Sequence, residues 1–303
     1  MYQPTSLNGN LDTVMHIKSD KLVTTTWLAE NIDDPDLRVI EISRDPEGQT
    51  YSKGHIPNAV FWFWKKQLWH TTNREFASPT EISRSLAEIG TTERSKIVIY
   101  GDPIQYGTYG LWVLAMAGFN NIAILDGGRT KWIAEGRSLS RAIPRYETTT
   151  PIINRANLIA RIGRDEVLKG LTDSKRVLID ARSPEEYMGE RVSPPGGFDH
   201  GAERVGRIPG SKHLFFRDIL NEDDTFISAE KLIEKVGPLG ITDSLSNDVV
   251  TYCRLSHRAT IMWFALTHIL DISNVKVYDG SWTEWGSIVG FPIEKNSCDK
   301  ASE

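Results

Sequence analysis

Cys253, Arg254, Leu255, Ser256, His257 and Arg258 are the residues whose types and spacing could do chemistry together. They lie in YCRLSHRA, after the β-branched run VVTY and before the apolar run ATIMWFALTHIL. A strand that turns directly into a helix presents its turn at the carboxyl end of the sheet, where ligands bind in open parallel sheets. Turn amides and the positive end of the helix dipole favour an anion there. Arg254 and Arg258 add two positive charges. A free thiol titrates at about 8.5, and such surroundings lower that value until the nucleophilic thiolate dominates. A blander role is also open, because unpaired cysteine is among the most buried residue types and often only fills a core. The arginines weigh against it, since burying guanidinium beside a thiol without an anion has little structural benefit. The chain has two cysteines. Cys298 sits in the polar tail NSCDKASE and is expected to be an incidental exposed thiol rather than half of a disulfide framework.

The elements that must position these residues are written twice. RVIEISRD at 38–45 is echoed by RVLIDARS at 176–183, and KGHIPNAVFWF at 53–63 by VGRIPGSKHLF at 205–215. SKIVIYGD at 95–102 is echoed by NDVVTYCR at 247–254, and LDGGRTKW at 125–132 by YDGSWTEW at 278–285. Four matches in one order imply two copies of one fold, with a period far longer than a solenoid repeat. Short apolar runs alternating with helical segments predict an α/β protein. Its two tandem domains are each a mainly parallel sheet flanked by helices. The expected domains are residues 20–141 and 157–295. The polar, proline-bearing segment 142–156 is expected to join them. The segment from Arg182 to Gly206 is much longer than the one from Arg44 to Gly54, which leaves a loop at 188–205 as either functional or a solvated excursion.

Composition excludes several classes. Apolar residues at 40% and charged residues at 25% are those of a globular protein. A net charge of -5 gives no electrostatic footprint for nucleic acid. No apolar run is long enough to span a bilayer, and no leader is evident, so a cytoplasmic protein is expected. Trp62, Trp64 and Trp69 in FWFWKKQLWH are expected to pack between domains, since no basic stripe accompanies them. The histidines show no metal-ligand spacing, so neither metal nor cofactor is inferred.

The repeated G-H/R-I-P turn, the strand-Cys-loop-helix junction and the D-G-x-x-x-x-W segments resemble a tandem-domain rhodanese, a thiosulfate sulfurtransferase. The resemblance runs from about Lys21 to Glu294. It implies a catalytic second domain with Cys253 as the sulfur carrier and a non-catalytic first domain, because Gly101 stands opposite Cys253. It implies Arg182, in LIDARSPEEY, as a substrate-binding arginine, with Arg254 and Arg258 in the active-site loop beside Leu255, Ser256 and His257. A salt bridge from Arg182 to Glu185 or Glu186 is the competing structural role. The implied partners are a small-molecule sulfur donor and a thiophilic acceptor, cyanide or a thiol, including a thiol on another protein. Departures are visible. Ser256 replaces the family's loop glycine, which strains the turn if the position needs a positive φ. Leu255 stands where vertebrate-type loops carry lysine, and Arg207 replaces a histidine. His257 is unusual in the loop and is expected to point to solvent.

Three rivals remain. 3-Mercaptopyruvate sulfurtransferase shares the fold, but its loop lacks the arginine after the cysteine. A cysteine phosphatase would need C-x5-R, and the arginine falls one position early, at Arg258 rather than Ala259. A catalytically weak persulfide-relay or scaffold protein is the third.

Overall fold

A computed structural model describes residues 20–241 and 248–295, so Cys298 lies outside the described residues. The first copy contributes β1 (Leu22–Val23), β2 (Leu37–Ser43), β3 (Ala59–Phe63), β4 (Lys96–Asp102) and β5 (Ile122–Leu125). The second contributes β6 (Arg161–Ile162), β7 (Arg176–Asp180), β8 (Lys212–His213), β9 (Asp248–Tyr252) and β10 (Val275–Tyr278). They form two five-stranded sheets of the same topology, β1-β5-β4-β2-β3 and β6-β10-β9-β7-β8, with every pairing parallel. Helices cover both faces of such a sheet, so its strands are buried on both sides. That is why β2 and β5 have every residue buried. The result is the α/β fold expected.

The apolar groups sort into three layers. Val39, Tyr100 and Trp132 belong to an outer core of the first domain. Leu178, Tyr252, Trp282 and Trp285 belong to an outer core of the second. Between the sheets lies one shared core that takes Ile42 and Trp112 from the first domain and Ile261 and Phe264 from the second. Two helices meet in it, Gln105–Met116 and His257–Phe264, and both are buried almost all round. A helix apolar on every side is what a position between two sheets requires. Thr108 Oγ1 and Thr260 Oγ1 share a hydrogen bond of 2.9 Å across this contact. Trp62 and Trp64 are buried in the shared core and Trp69 packs against it, so these tryptophans lie between the domains as their sequence suggests.

Sheet register corrects the first sequence echo. Glu41 pairs with Tyr100, and Asp180 pairs with Tyr252, in the two sheets. Glu41 therefore corresponds to Asp180, and Ser43, not Arg44, occupies the place of Arg182. Aligning Arg38 with Arg176 is one residue out. Strands buried on both faces carry no polar alternation to fix their register in the sequence.

Residues 141–158 have no regular secondary structure and run along the first domain. Tyr146 lies under the Arg38 guanidinium at 4.3 Å, and the Thr149 amide donates to Ala87 O at 3.0 Å. Among the described residues no helix is long and apolar enough to cross a membrane.

Candidate active site

Cys253 is the first residue after β9 and is 1% exposed, packed within the shared core. The segment after β10 staples its loop. Ser281 Oγ accepts the amides of Cys253 at 3.2 Å and Ser256 at 3.1 Å, and donates to Tyr278 O at 2.8 Å. The carbonyls of Cys253 and Arg254 accept the amides of Trp282 and Thr283 at 2.9 and 3.0 Å. Among the described residues the amides of Arg254, Leu255 and Arg258 find no acceptor. They are unpaired donors in the turn and first turn of the helix His257–Phe264, the arrangement in which a helix start receives an anion.

Ser256 holds φ 65, a left-handed conformation that costs a non-glycine residue about 1–2 kcal/mol. Its hydroxyl lies 2.6 Å from Leu255 O and 3.1 Å from Asp279 Oδ1, and donating its one proton between these two acceptors offsets that strain. Asp279, 3% exposed, also binds Arg74 at 2.8 Å and Arg161 at 3.3 Å. The cysteine loop is thus tied to an arginine of the first domain.

The arginines divide into two kinds. Arg258 is 8% exposed and makes a two-pronged ion pair with fully buried Glu186, at 2.6 and 2.8 Å. Glu186 is fixed in turn by the capping box it forms with Ser183 at the start of the helix Pro184–Met188. Arg182 is fully buried, and its Nε and Nη2 donate to Asp180 while Nη2 also reaches Gly206 O at 2.7 Å. Its carboxylate partner is neither Glu185 nor Glu186, as the sequence suggested, but Asp180 two residues earlier. Burial of both groups requires this pairing, because an uncompensated buried charge is costly. Its guanidinium lies 4.6 Å over the Trp282 ring, and Nη1 alone lacks an acceptor. Arg254 is different: partly exposed, it donates from Nη1 to His200 Nδ1 at 2.9 Å and His200 O at 3.1 Å. Among the described residues it has no carboxylate partner.

His257 does not point to solvent. It is 6% exposed and sits among first-domain rings, with Trp64 at 4.4 Å, Tyr109 at 4.2 Å and Tyr106 at 4.6 Å. Burial pushes its pKa down to about 3, with Arg74, Arg254 and Arg258 adding to the shift, so the ring is neutral. Its place is the domain contact, reached because the first turn of its helix faces the other domain. Leu255 is partly exposed and lines a cleft of about 880 Å³ with Arg74, Arg161, Asp279 and Glu284.

Sequence reasoning missed Tyr106, Asp279 and Ser281. Tyr106 comes from the first domain. Burial pushes its phenol up, while Arg44, Arg254 and Arg258 pull it back, and Cys253 lies within the same electrostatic reach. No one-dimensional signal marks it, since it meets the loop only through domain packing. Asp279 and Ser281 could have been found by comparing YDGS with LDGG, where Ser281 stands at the left-handed position held by Gly128 in the first copy. The first copy's loop is collapsed: a Cβ on Gly101 would lie 2.3 Å from Gly107 N and 2.6 Å from Pro103 O.

Comparison with known proteins agrees with this architecture. The profile of the rhodanese-like domain matches residues 24–135 and again 164–288. The "Sulfur carrier protein TtuD" of Thermus thermophilus is 38% identical over 90% of this chain and 96% of its own length. A "Putative thiosulfate sulfurtransferase" of Haloferax volcanii is 34% identical over 92% and 97%. The crystal structure of YnjE superposes with a TM-score of 0.78 at 22% identity, covering 92% of this chain and 69% of that one, which is likeness of fold. With its domain present twice and its relatives matched almost end to end, the chain belongs to the rhodanese family of sulfurtransferases.

Proposed function

We propose that the protein is a thiosulfate sulfurtransferase in which the second domain, within 157–295, is catalytic and the first, within 20–141, shapes the site. The observation that carries this reading is Cys253 at a helix start whose loop amides are unpaired, beside Arg254, whose charge no carboxylate cancels. In the first step the Cys253 thiolate attacks the outer sulfur of thiosulfate. The S–S bond breaks, its electron pair leaves with sulfite, and Cys253 carries a persulfide. In the second step cyanide or a thiol attacks the outer sulfur and the Cys253 thiolate is released. Splitting one transfer into two is the advantage of a covalent intermediate, and fixed amide donors would stabilise both sulfur anions. Arg254 supports thiosulfate over 3-mercaptopyruvate. A relative named for sulfur carriage supports a thiol, including one on a protein, as an acceptor.

The 1% exposure of Cys253 and the carboxylate partners of Arg182 and Arg258 favour a second reading, a weakly catalytic persulfide relay or scaffold. Steady-state sulfur release from thiosulfate and from 3-mercaptopyruvate separates these. The proposal expects thiosulfate to be the better donor; a preference for 3-mercaptopyruvate, or turnover with neither, contradicts it.

A further inference from the structure

The segment 188–205, which the first copy lacks, is not a loose excursion. Immediately before His200, Asp199 Oδ1 accepts the amides of Val192 and Ser193 at 3.0 and 2.9 Å. Beyond it, Arg204 donates to the carbonyls of Trp285, Gly286, Ile288 and Phe291 at 2.8–3.0 Å, and its own carbonyl accepts from Trp282 Nε1 at 2.9 Å. The residues between these anchors hold one side chain of the cysteine loop. His200 offers Arg254 Nη1 both a ring nitrogen and a backbone carbonyl. Gly201 leaves the space the guanidinium fills, because a Cβ there would come within 2.7 Å of Nη1.

The chemistry of this seat is selective. A guanidinium only donates, so His200 Nδ1 must be an unprotonated acceptor with its proton on Nε2. Two uncharged acceptors fix where Arg254 lies without cancelling its charge. A carboxylate in the same place would give the same geometry and neutralise the cation, as Glu186 does for Arg258. Pre-ordering a long, rotamer-rich side chain also removes an entropic cost from ligand binding.

We propose that the 188–205 segment is a specificity element: through His200 and Gly201 it positions Arg254 at the cysteine loop to recognise the charge of an anionic sulfur donor. His200 is a positioning residue in this scheme, acting through Arg254. The inference rests on the sulfur-transfer reading above for its substrate and deepens it.

The test has two arms. In steady state with thiosulfate, His200→Ala raises KM about tenfold with kcat unchanged, and His200→Asn, which keeps an acceptor on the side chain, restores most of the loss. The double variant His200→Ala/Arg254→Ala has the KM of Arg254→Ala alone, as coupled residues require. With an uncharged organic trisulfide as donor, His200→Ala matches the wild type. In the second arm thiosulfate binding is measured by calorimetry in Cys253→Ala protein, where no transfer occurs. Adding His200→Ala weakens binding about tenfold, whether or not the wild type turns over. An unchanged KM and unchanged binding overturn the inference, as does an equal loss with the neutral donor. Absence of turnover in the wild type with the binding effect intact overturns the sulfur-transfer reading instead.

Discussion

At the scale of single residues, the site is built from groups that would be costly alone and are compensated in place. Ser256 combines left-handed strain of about 1–2 kcal/mol with a hydrogen bond to a carboxylate worth about 1.5–3 kcal/mol. Ser256→Gly loses both and is expected to change stability by under about 1 kcal/mol. Ser256→Ala keeps the strain and loses the bond, and should cost about 2 kcal/mol in chemical denaturation. No loss in Ser256→Ala would mean that the Asp279 contact contributes nothing. Glu186 is the countercharge of Arg258. Glu186→Gln leaves a buried guanidinium half-satisfied and is expected to destabilise by about 3 kcal/mol, with Glu186→Gln/Arg258→Met recovering part of that. Denaturation midpoints of the pair check it. The cysteine loop was legible as a candidate site because a thiol and two guanidinium groups lie within six consecutive positions. His257 was misplaced because a histidine between serine and arginine reads as exposed, whereas domain packing decides where it points.

At the scale of elements, the two helices that begin just beyond the Gly101 and Cys253 positions, Gln105–Met116 and His257–Phe264, form the hinge of the account. Their Thr108–Thr260 hydrogen bond lies in an otherwise apolar contact. Thr108→Val or Thr260→Val removes the bond between the helices, while the remaining hydroxyl keeps a carbonyl of its own helix, Gln105 O at 3.3 Å for Thr108 or His257 O at 2.7 Å for Thr260. Each single variant should therefore cost about 0.5–1.5 kcal/mol and the double variant little more. A double-mutant cycle by urea denaturation measures this, and additive losses would place the hydroxyls out of contact. The sequence carried the alternation of strands and helices and the repeat, because each leaves a compositional trace. It did not carry the register of β2 against β7, because two-face burial erases the alternation that would fix it. Tyr106 was hidden for a related reason: its partners belong to the other domain. The segment 188–205 was visible as an insertion, but not its grip on Arg254, which depends on one side-chain geometry.

At the scale of the whole molecule, buried ionisable groups set opposing responses to pH. Burial pushes His257 down to about 3 and His268 to about 4 from 6.5. Burial likewise raises Glu41 to about 7 from 4.5 and Asp126 to about 6 from 3.8. The depressed histidines contribute stability present above 6.5 and lost as pH falls toward their folded values. The raised carboxyls contribute stability present at low pH and lost as pH rises through about 6 and 7. Between about 4.5 and 6 the two trends oppose each other. Below about 4.5 the unfolded carboxylates protonate too and the histidine penalty prevails. Carboxylates such as Glu75, held low by its hydrogen bond to Arg161, add to the fall. Urea midpoints are therefore expected to be nearly flat from pH 6 to 4.5 and to drop below it. His257→Phe should gain on the wild type by up to about 1.4 kcal/mol per pH unit below 6.5; a constant gap would mean that His257 titrates normally. Domain packing, buried charge and the cysteine loop all serve one centre, and one measurement addresses it directly. After incubation with thiosulfate and removal of excess, intact-protein and peptide mass spectrometry should show one added sulfur on the Cys253 peptide. The gain should survive Cys298→Ser, vanish in Cys253→Ala and discharge with cyanide to give thiocyanate. No added sulfur on Cys253, or the sulfur on Cys298 alone, would contradict the account.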